Sequence, residues 1–334
     1  MIRFQPSYRI DLVTEADYAS QMERIEAQLR ECRIDGSFAS FDALQLYWEG
    51  YLVSAPRGTV VILHGFTEFP GKYREMSWYF LNMGYHVFLL TQRGHASTEL
   101  VHVERFDDYA EDFHRFVEEI LPYSEDLPLF LYAHSMGGGV AARYLQCYPS
   151  RFRRAVLSSP MFCPRAGDVP YYYALAGSWL LQLRGRRDKS PLFRHSFNPN
   201  ATVEQSNAAS AARFRWHMDR RTEDPRYQTA GATNRWVYTS VALRQKVLRR
   251  KNCRKICIPV LVIGSGKDTQ VRESSQRKFV QRVKTASYFC FEGEKHELFS
   301  TKNEVLGTYL RMIFDFFEGE TNNEAVADCR GYAE

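Results

Sequence analysis

The stretch LYAHSMGGGV, Leu131–Val140, sets one serine between a run of strand-forming residues and three consecutive glycines. Leu129–Ala133 has the short, continuous apolar character of a strand buried on both faces, and Gly138–Cys147 reads as a helix, so Ser135 falls at the corner between them. The corner follows the pattern G-x-S-x-G with Ala133 at the first glycine position, the smallest departure from glycine. A sharp strand-to-helix turn crowds its neighbours and so demands small residues on both sides, while the helix N-terminus aims a positive dipole at the serine. Taken alone, such a corner is either a nucleophile or a glycine-rich turn; partners elsewhere in the chain decide between the two.

The same rhythm runs through the sequence. Apolar runs at Thr59–Leu63, His86–Leu90, Ala155–Leu157, Pro259–Ile263 and Ser287–Phe291 are equally short, as expected of strands covered on both faces, and helical patterns such as Phe106–Leu121 and Tyr309–Phe317 separate most of them. This alternation predicts an α/β fold, a mostly parallel central sheet flanked by helices and joined by right-handed crossovers. Residues 15–32 read as an amphipathic helix and 36–53 as a strand meander, so 1–56 is expected to join the core sheet. From about 162 to 232 no strand pattern appears. That interval holds aromatics and arginines, including YYYALAGSWLLQLRGRR (Tyr171–Arg187), and reads as a helical cap inserted after the sixth strand, over one edge of the sheet. A helix over Arg235–Arg250 then returns the chain. The expected organisation is a core over 57–161 and 233–318, a cap over 162–232 and a flexible tail over 319–334.

Composition excludes several classes. With 334 residues, 45% hydrophobic and 14% aromatic, the chain can bury a large core and is not globally disordered. The start lacks the basic and then apolar regions of a signal peptide, and no apolar stretch approaches the roughly 18 residues of a spanning helix. A soluble or peripheral protein of the cytoplasm is expected. Seven cysteines without regular spacing fit reduced thiols, and Cys253 and Cys257 form a lone C-x-x-x-C with no second ligand pair, so no structural metal is expected. Between Arg184 and Lys255, 18 Lys and Arg face five Asp and Glu, while the whole chain carries a net charge of only +5. This zone is either a set of solvated arginine-rich helix faces or a contact for anionic lipid or an acidic substrate. No nucleic-acid module is present, and GSGKDT (Gly264–Thr269) has Leu261 where a phosphate loop needs glycine and Asp268 where it needs Ser or Thr.

A serine hydroxyl is a poor nucleophile at neutral pH; it needs a base, an acid to orient that base, and donors for the oxyanion. His296, in FEGEKHELFS (Phe291–Ser300), follows the last strand in a charged loop. Asp268, in VLVIGSGKDTQV (Val260–Val271), follows the strand ending at Ile263. The chain order Ser135, Asp268, His296 is one this kind of sheet uses. After the strand Thr59–Leu63 comes His64-Gly65-Phe66, so the backbone amides of Phe66 and Met136 are the expected oxyanion donors, with His64 and Gly65 shaping the loop.

At this point the chain resembles the α/β-hydrolase superfamily, and within it the lysophospholipase and monoacylglycerol lipase group, from about residue 57 to 318. HGFTEFPGKY from His64, GYHVFLLTQRGHAS from Gly84, HVERFDDYAED from His102, LYAHSMGGGVAARYL from Leu131 and SSPMF from Ser158 carry the resemblance. HVERFDDY and HSMGG, with the long aromatic insertion, look most like bacterial lysophospholipases of the inner membrane. Thr91–Ser97 lacks the Asp and second Gly common in that family turn, which bears on loop shape. Glu68 and Tyr73 match positions beside the oxyanion loop, as a solvated acid and a packed ring or as parts of the site. The resemblance implies hydrolysis of a fatty acyl ester through an acyl-enzyme, with no metal or organic cofactor. Tyr171, Tyr172, Trp179 and Leu180 are the candidate lipid-contacting residues, the alternative being plain cap core. A monoacylglycerol lipase, a carboxylesterase or thioesterase, and a non-catalytic lipid-binding protein are the rival readings.

Overall fold

In the computed structural model, residues 7–124, 126–165, 167, 169–189, 197–229 and 231–319 are described. The first helix, α1 (Tyr18–Cys32), buries Tyr18, Met22, Ile25, Leu29 and Cys32, a spacing of alternating fours and threes that lines up one face of a helix. Strands β1 (Arg33–Ala39) and β2 (Gln45–Tyr51) form the meander. Then β3 (Gly58–Leu63), α2 (Arg74–Asn82), β4 (Tyr85–Leu90), α3 (Asp107–Ile120), β5 (Leu129–His134), α4 (Met136–Cys147) and β6 (Phe152–Ser158) alternate. Helices α5 (Tyr171–Leu183), α6 (Ala211–Glu223), α7 (Asn234–Val247) and α8 (Arg250–Cys253) separate β6 from β7 (Val260–Ser265), and α9 (Glu273–Val280), β8 (Ala286–Phe291) and α10 (Asn303–Glu318) complete the described chain.

The eight strands form one sheet in the order β1-β2-β4-β3-β5-β6-β7-β8. β1 and β2 pair antiparallel, β2 meets β4 antiparallel, and every pairing from β4 onward is parallel. Every residue of β3, β4, β5 and β7 is buried, as their continuous apolar runs require. β8 departs from the expectation. It is half-buried throughout because it is the last strand and has a neighbour on one side alone, so its apolar sequence does not mean cover on both faces. The helix expected over 235–250 breaks after Val247 into α7 and the short α8. The expected tail lies outside the described residues beyond Gly319.

Two apolar cores sandwich the sheet, one under α3, α4, α7 and α9 and the other under α1, α2 and α10. α6 belongs to the insertion yet is anchored in the second layer by Arg213, whose side chain is wholly buried. Its Nε donates to Glu75 Oε2 at 2.9 Å and its Nη2 to Glu75 Oε1 at 2.7 Å, while Nη1 donates to the Thr301 carbonyl at 3.0 Å. Tyr18 and Tyr79 hydroxyls donate to the same carboxylate, each at 2.7 Å. A single guanidinium thus ties the insertion to α2 and to the segment leading into α10.

Candidate active site

Ser135 sits between β5 and α4 at φ 51° and ψ −115°. That conformation costs a residue with a side chain about 1–3 kcal/mol, and neighbouring backbone holds it: Ser135 N–H donates to the Ser158 carbonyl at 3.0 Å, and the Ser135 carbonyl accepts from Met161 N–H at 2.7 Å. The SSPMF segment is therefore the buttress of the corner. The glycines answer the crowding on the other side. A Cβ on Gly137 would lie 2.4 Å from the Leu63 carbonyl oxygen and 2.7 Å from that of His64, and one on Gly138 would lie 2.6 Å from Pro160 Cβ. The first turn of α4 thus rests directly on the end of β3. Gly137→Ala is expected to cost about 1–3 kcal/mol of stability through overpacking against rigid backbone, and to slow labelling of Ser135 by a fluorophosphonate as α4 is pushed from the loop; thermal unfolding and the labelling rate check both.

His296 Nε2 lies 2.8 Å from Ser135 Oγ, and His296 Nδ1 lies 2.6 Å from Asp268 Oδ2. With Nδ1–H donating to the carboxylate, the Nε2 lone pair faces the hydroxyl, an arrangement that can take the serine proton. All three residues are at least nine-tenths buried. Asp268 Oδ1 accepts from the amides of Gln270 at 2.7 Å and Val271 at 3.0 Å. Burial pushes its carboxyl upward, but the His296 hydrogen bond and charge and these amides outweigh it and hold the group below the usual carboxylate range. Its contribution to stability is therefore complete above the ordinary carboxylate range and is lost as pH falls through the depressed folded value.

At the end of β3, His64 Nδ1–H donates to the Gly65 carbonyl at 2.8 Å and His64 Nε2 accepts from Gln92 N–H at 3.1 Å, while Gln92 Nε2 donates to the His64 carbonyl at 2.6 Å. Gln92, in the turn that departs from the family pattern, thus clamps the loop after β3. Neither the Phe66 nor the Met136 amide has a hydrogen-bond acceptor among the described residues, and Met136, as the first residue of α4, has none within its helix. The Phe66 ring stacks on Trp236 of α7 with centroids 4.1 Å apart, a contact that seats the insertion's return helix beside the site.

The structure decides between the readings that the sequence left open for Glu68 and Tyr73. Glu68 is not a solvated acid: it is 7% exposed, with Oε2 accepting from Gly65 N–H and from the Tyr73 hydroxyl, each at 2.6 Å. Burial pushes its carboxyl up, but the Lys72 charge and the hydrogen bonds from Lys72 and Tyr73 outweigh it and hold it well below the usual range. His134, next to the serine, has its ring centroid 4.8 Å from that of His296; burial pushes it down to about 3, so it is neutral at physiological pH. The signal for Glu68 and Tyr73 lay in the HGFTEFPGKY stretch, whereas HSMGG carries His134 without marking its contact with His296.

The proposed lipid-contacting residues stand apart from this cluster. Tyr171 is half-buried under the Arg244 guanidinium, 4.4 Å from its ring centroid, whereas Tyr172, Trp179 and Leu180 are 74%, 50% and 41% exposed on the outer face of α5, with Tyr173 and Leu183 beside them. The basic zone divides. Arg213 pairs with Glu75, Arg187 and Arg235 with Glu104, and Lys246 with Asp107. Arg184 and Arg186 are exposed at the end of α5. Arg249, Arg250, Lys251, Arg254 and Lys255 are exposed without an ion pair among the described residues; they precede β7 and so lie at the end of the parallel sheet opposite Ser135. Cys253 is buried and Cys257 exposed, and all six described cysteines are free. Among the described residues no group of three or more His, Cys, Asp or Glu could hold a metal ion, and no helix is long and apolar enough to cross a membrane.

A sheet of this order, turning through a positive-φ serine after its fifth strand, is the architecture of the α/β hydrolases. The family described as serine aminopeptidase, S33, matches residues 54–303, about three quarters of the chain, and the chain belongs to that family. The monoacylglycerol lipase of Mycolicibacterium smegmatis is 25% identical over 279 residues, 82% of this chain and 94% of that protein. The lysophospholipase L2 of Escherichia coli strain K12 is 24% identical over 307 residues, 85% of this chain and 87% of that one. Among solved structures, a thermostable carboxyl esterase from Bacillus coagulans in complex with glycerol superposes with a TM-score of 0.70 at 19% identity, covering 86% of this chain and 98% of its own. A soluble variant of the monoglyceride lipase of Saccharomyces cerevisiae, bound to a substrate analog, gives a TM-score of 0.68 at 19% identity over 86% of this chain and 94% of its own. The chain is a hydrolase of this fold, with lipase and esterase relatives.

Proposed function

We propose that this hydrolase cleaves the fatty acyl ester of a lysophospholipid through an acyl-enzyme on Ser135. The observation that carries the reading is the hydrogen-bonded chain from Ser135 Oγ through the His296 ring to Asp268. Ser135 Oγ attacks the ester carbonyl carbon as His296 Nε2 takes its proton. The amides of Phe66 and Met136 receive the developing oxyanion, and Asp268 holds the imidazole's orientation and stabilises its charged form. Collapse of the tetrahedral adduct breaks the bond to the alcohol oxygen, which leaves with the proton from His296. Water, deprotonated by the same nitrogen, then releases the fatty acid and restores the serine.

The acyl-lipid class is supported by the relatives named lysophospholipase and monoacylglycerol lipase. It is also supported by the insertion over 162–232, which we read as a cap. The exposed aromatic and aliphatic face of α5 offers surface for an acyl chain or for shallow insertion at a lipid interface, with Arg184 and Arg186 placed to meet phosphate. A monoacylglycerol fits the same machinery, because the three reacting side chains act on the ester group that both lipids share, and the relatives of both kinds match the chain to similar extents.

Release of fatty acid from lysophosphatidylethanolamine, lysophosphatidylglycerol and monoacylglycerol, compared at equal concentration, tests the reading. Faster turnover of the two lysophospholipids is expected. Turnover of short soluble esters alone would remove the lipid assignment and leave the hydrolase.

A further inference from the structure

We infer that Glu297, acting through Lys72, is a positioning residue that locks the loop carrying His296 to the loop carrying the Phe66 amide. This rests on the serine-hydrolase reading above. The His296 loop follows β8 and the oxyanion loop follows β3, and three strands, β5, β6 and β7, lie between them in the sheet. At about 4.8 Å per strand, β3 and β8 are too far apart to pair directly, so no backbone ladder ties the two loops to each other. Yet an acyl transfer site needs both at one carbonyl carbon.

The Lys72 ammonium fills that gap. Its Nζ lies 2.8 Å from Glu68 Oε1 and 2.8 Å from Glu297 Oε1, and the three side chains are only 12%, 8% and 12% exposed. Burial pushes the Lys72 ammonium down, but Glu297 and Glu68 outweigh it and raise it above its ordinary value, so it stays charged. On one side the strut continues through Glu68 Oε2 to Gly65 N–H, the residue before Phe66. On the other, Glu297 shares a peptide bond with His296 and its own N–H donates to the Asn207 carbonyl of the insertion at 3.0 Å. A buried ammonium between two carboxylates is well held, whereas either carboxylate left alone there would be costly. Asp268 from the loop after β7 and His134 and Ser135 from the end of β5 face His296 directly, and α6 brings the Arg221 guanidinium and His217, which burial pushes down to about 3 and keeps neutral, to the surroundings of the strut.

The test uses the full chain with Glu297→Gln, Lys72→Met, the double variant and Lys72→Arg, read by hydrolysis of p-nitrophenyl butyrate and by fluorophosphonate labelling. The expected result is a fall in kcat of about 10- to 100-fold with KM within about twofold, since misalignment costs the reacting geometry and not binding. The double variant falls no further than the worse single one, and Lys72→Arg restores most of the rate. The acidic limb of the kcat/KM profile separates a charge strut from mere scaffolding. In Glu297→Gln one negative charge beside His296 is lost while Lys72 stays paired with Glu68, so a charged imidazole is harder to hold and the limb moves to lower pH; in Lys72→Met the two carboxylates lose the cation they share and move it to higher pH, each by about half a unit. Wild-type protein inert to both reagents would overturn the serine-hydrolase reading and this role with it. Reactive wild type with single variants as fast as it, or with both limbs displaced the same way, would overturn the strut alone.

Discussion

Replacing Ser135 with alanine is expected to lower kcat/KM for an acyl ester by about 10⁴- to 10⁶-fold, and replacing His296 with alanine by a similar factor. The size follows from the geometry: with Oγ 2.8 Å from Nε2 and Nδ1 2.6 Å from Asp268, the three groups act as one unit, so losing either of the first two forfeits nearly all of the covalent route. Asp268→Asn should cost about 10⁴-fold in kcat, because an amide that donates to Nδ1 favours the tautomer whose Nε2 carries the proton. The combined Ser135→Ala and His296→Ala variant should be no slower than the worse single variant. Fatty acid release from a lysophospholipid, with fluorophosphonate labelling as a second reading, measures these effects. An active His296→Ala enzyme would remove the proposed mechanism.

The second large effect concerns stability. Arg213→Met is expected to destabilise the fold by about 3–5 kcal/mol, seen as a fall in Tm of about 10 °C. The cause is the Glu75 carboxylate, which would keep its Tyr18 and Tyr79 donors but lose its charge partner inside a fully buried site. Arg213→Met combined with Glu75→Gln should be less damaging than the two single losses added together, since the second substitution removes the stranded charge. Differential scanning calorimetry on the four proteins gives the coupling. Strictly additive losses would show that the pair is not what anchors α6.

The parts legible in the sequence are those governed by neighbouring residues. Each continuous apolar run matched a strand to within a few residues, because a strand covered on both faces must be apolar at every position. The same rule misled at β8, where the run is apolar but the strand is an edge, and position in the sheet is not written in a strand's own residues. Ser135 was legible through the glycines that the corner's crowding demands. Asp268 and His296 were expected from their places after late strands, and the structure sets the His296 ring between the Asp268 carboxylate and the Ser135 hydroxyl. Glu68 was left between two roles because burial depends on what packs above it, here Lys72 and Tyr73.

The sequence by itself determined the alternation of strands and helices and the small residues at the serine corner, since both follow from short-range sterics and periodicity. Only the tertiary structure decided that Lys72 stands between Glu68 and Glu297, that Arg213 is buried on Glu75, that Phe66 stacks on Trp236, and that the exposed cations of 249–255 lie at the far end of the sheet from Ser135. These depend on which distant segments share a low-dielectric interior or a sheet edge, and charge pairing across such distances leaves no mark on the residues beside it.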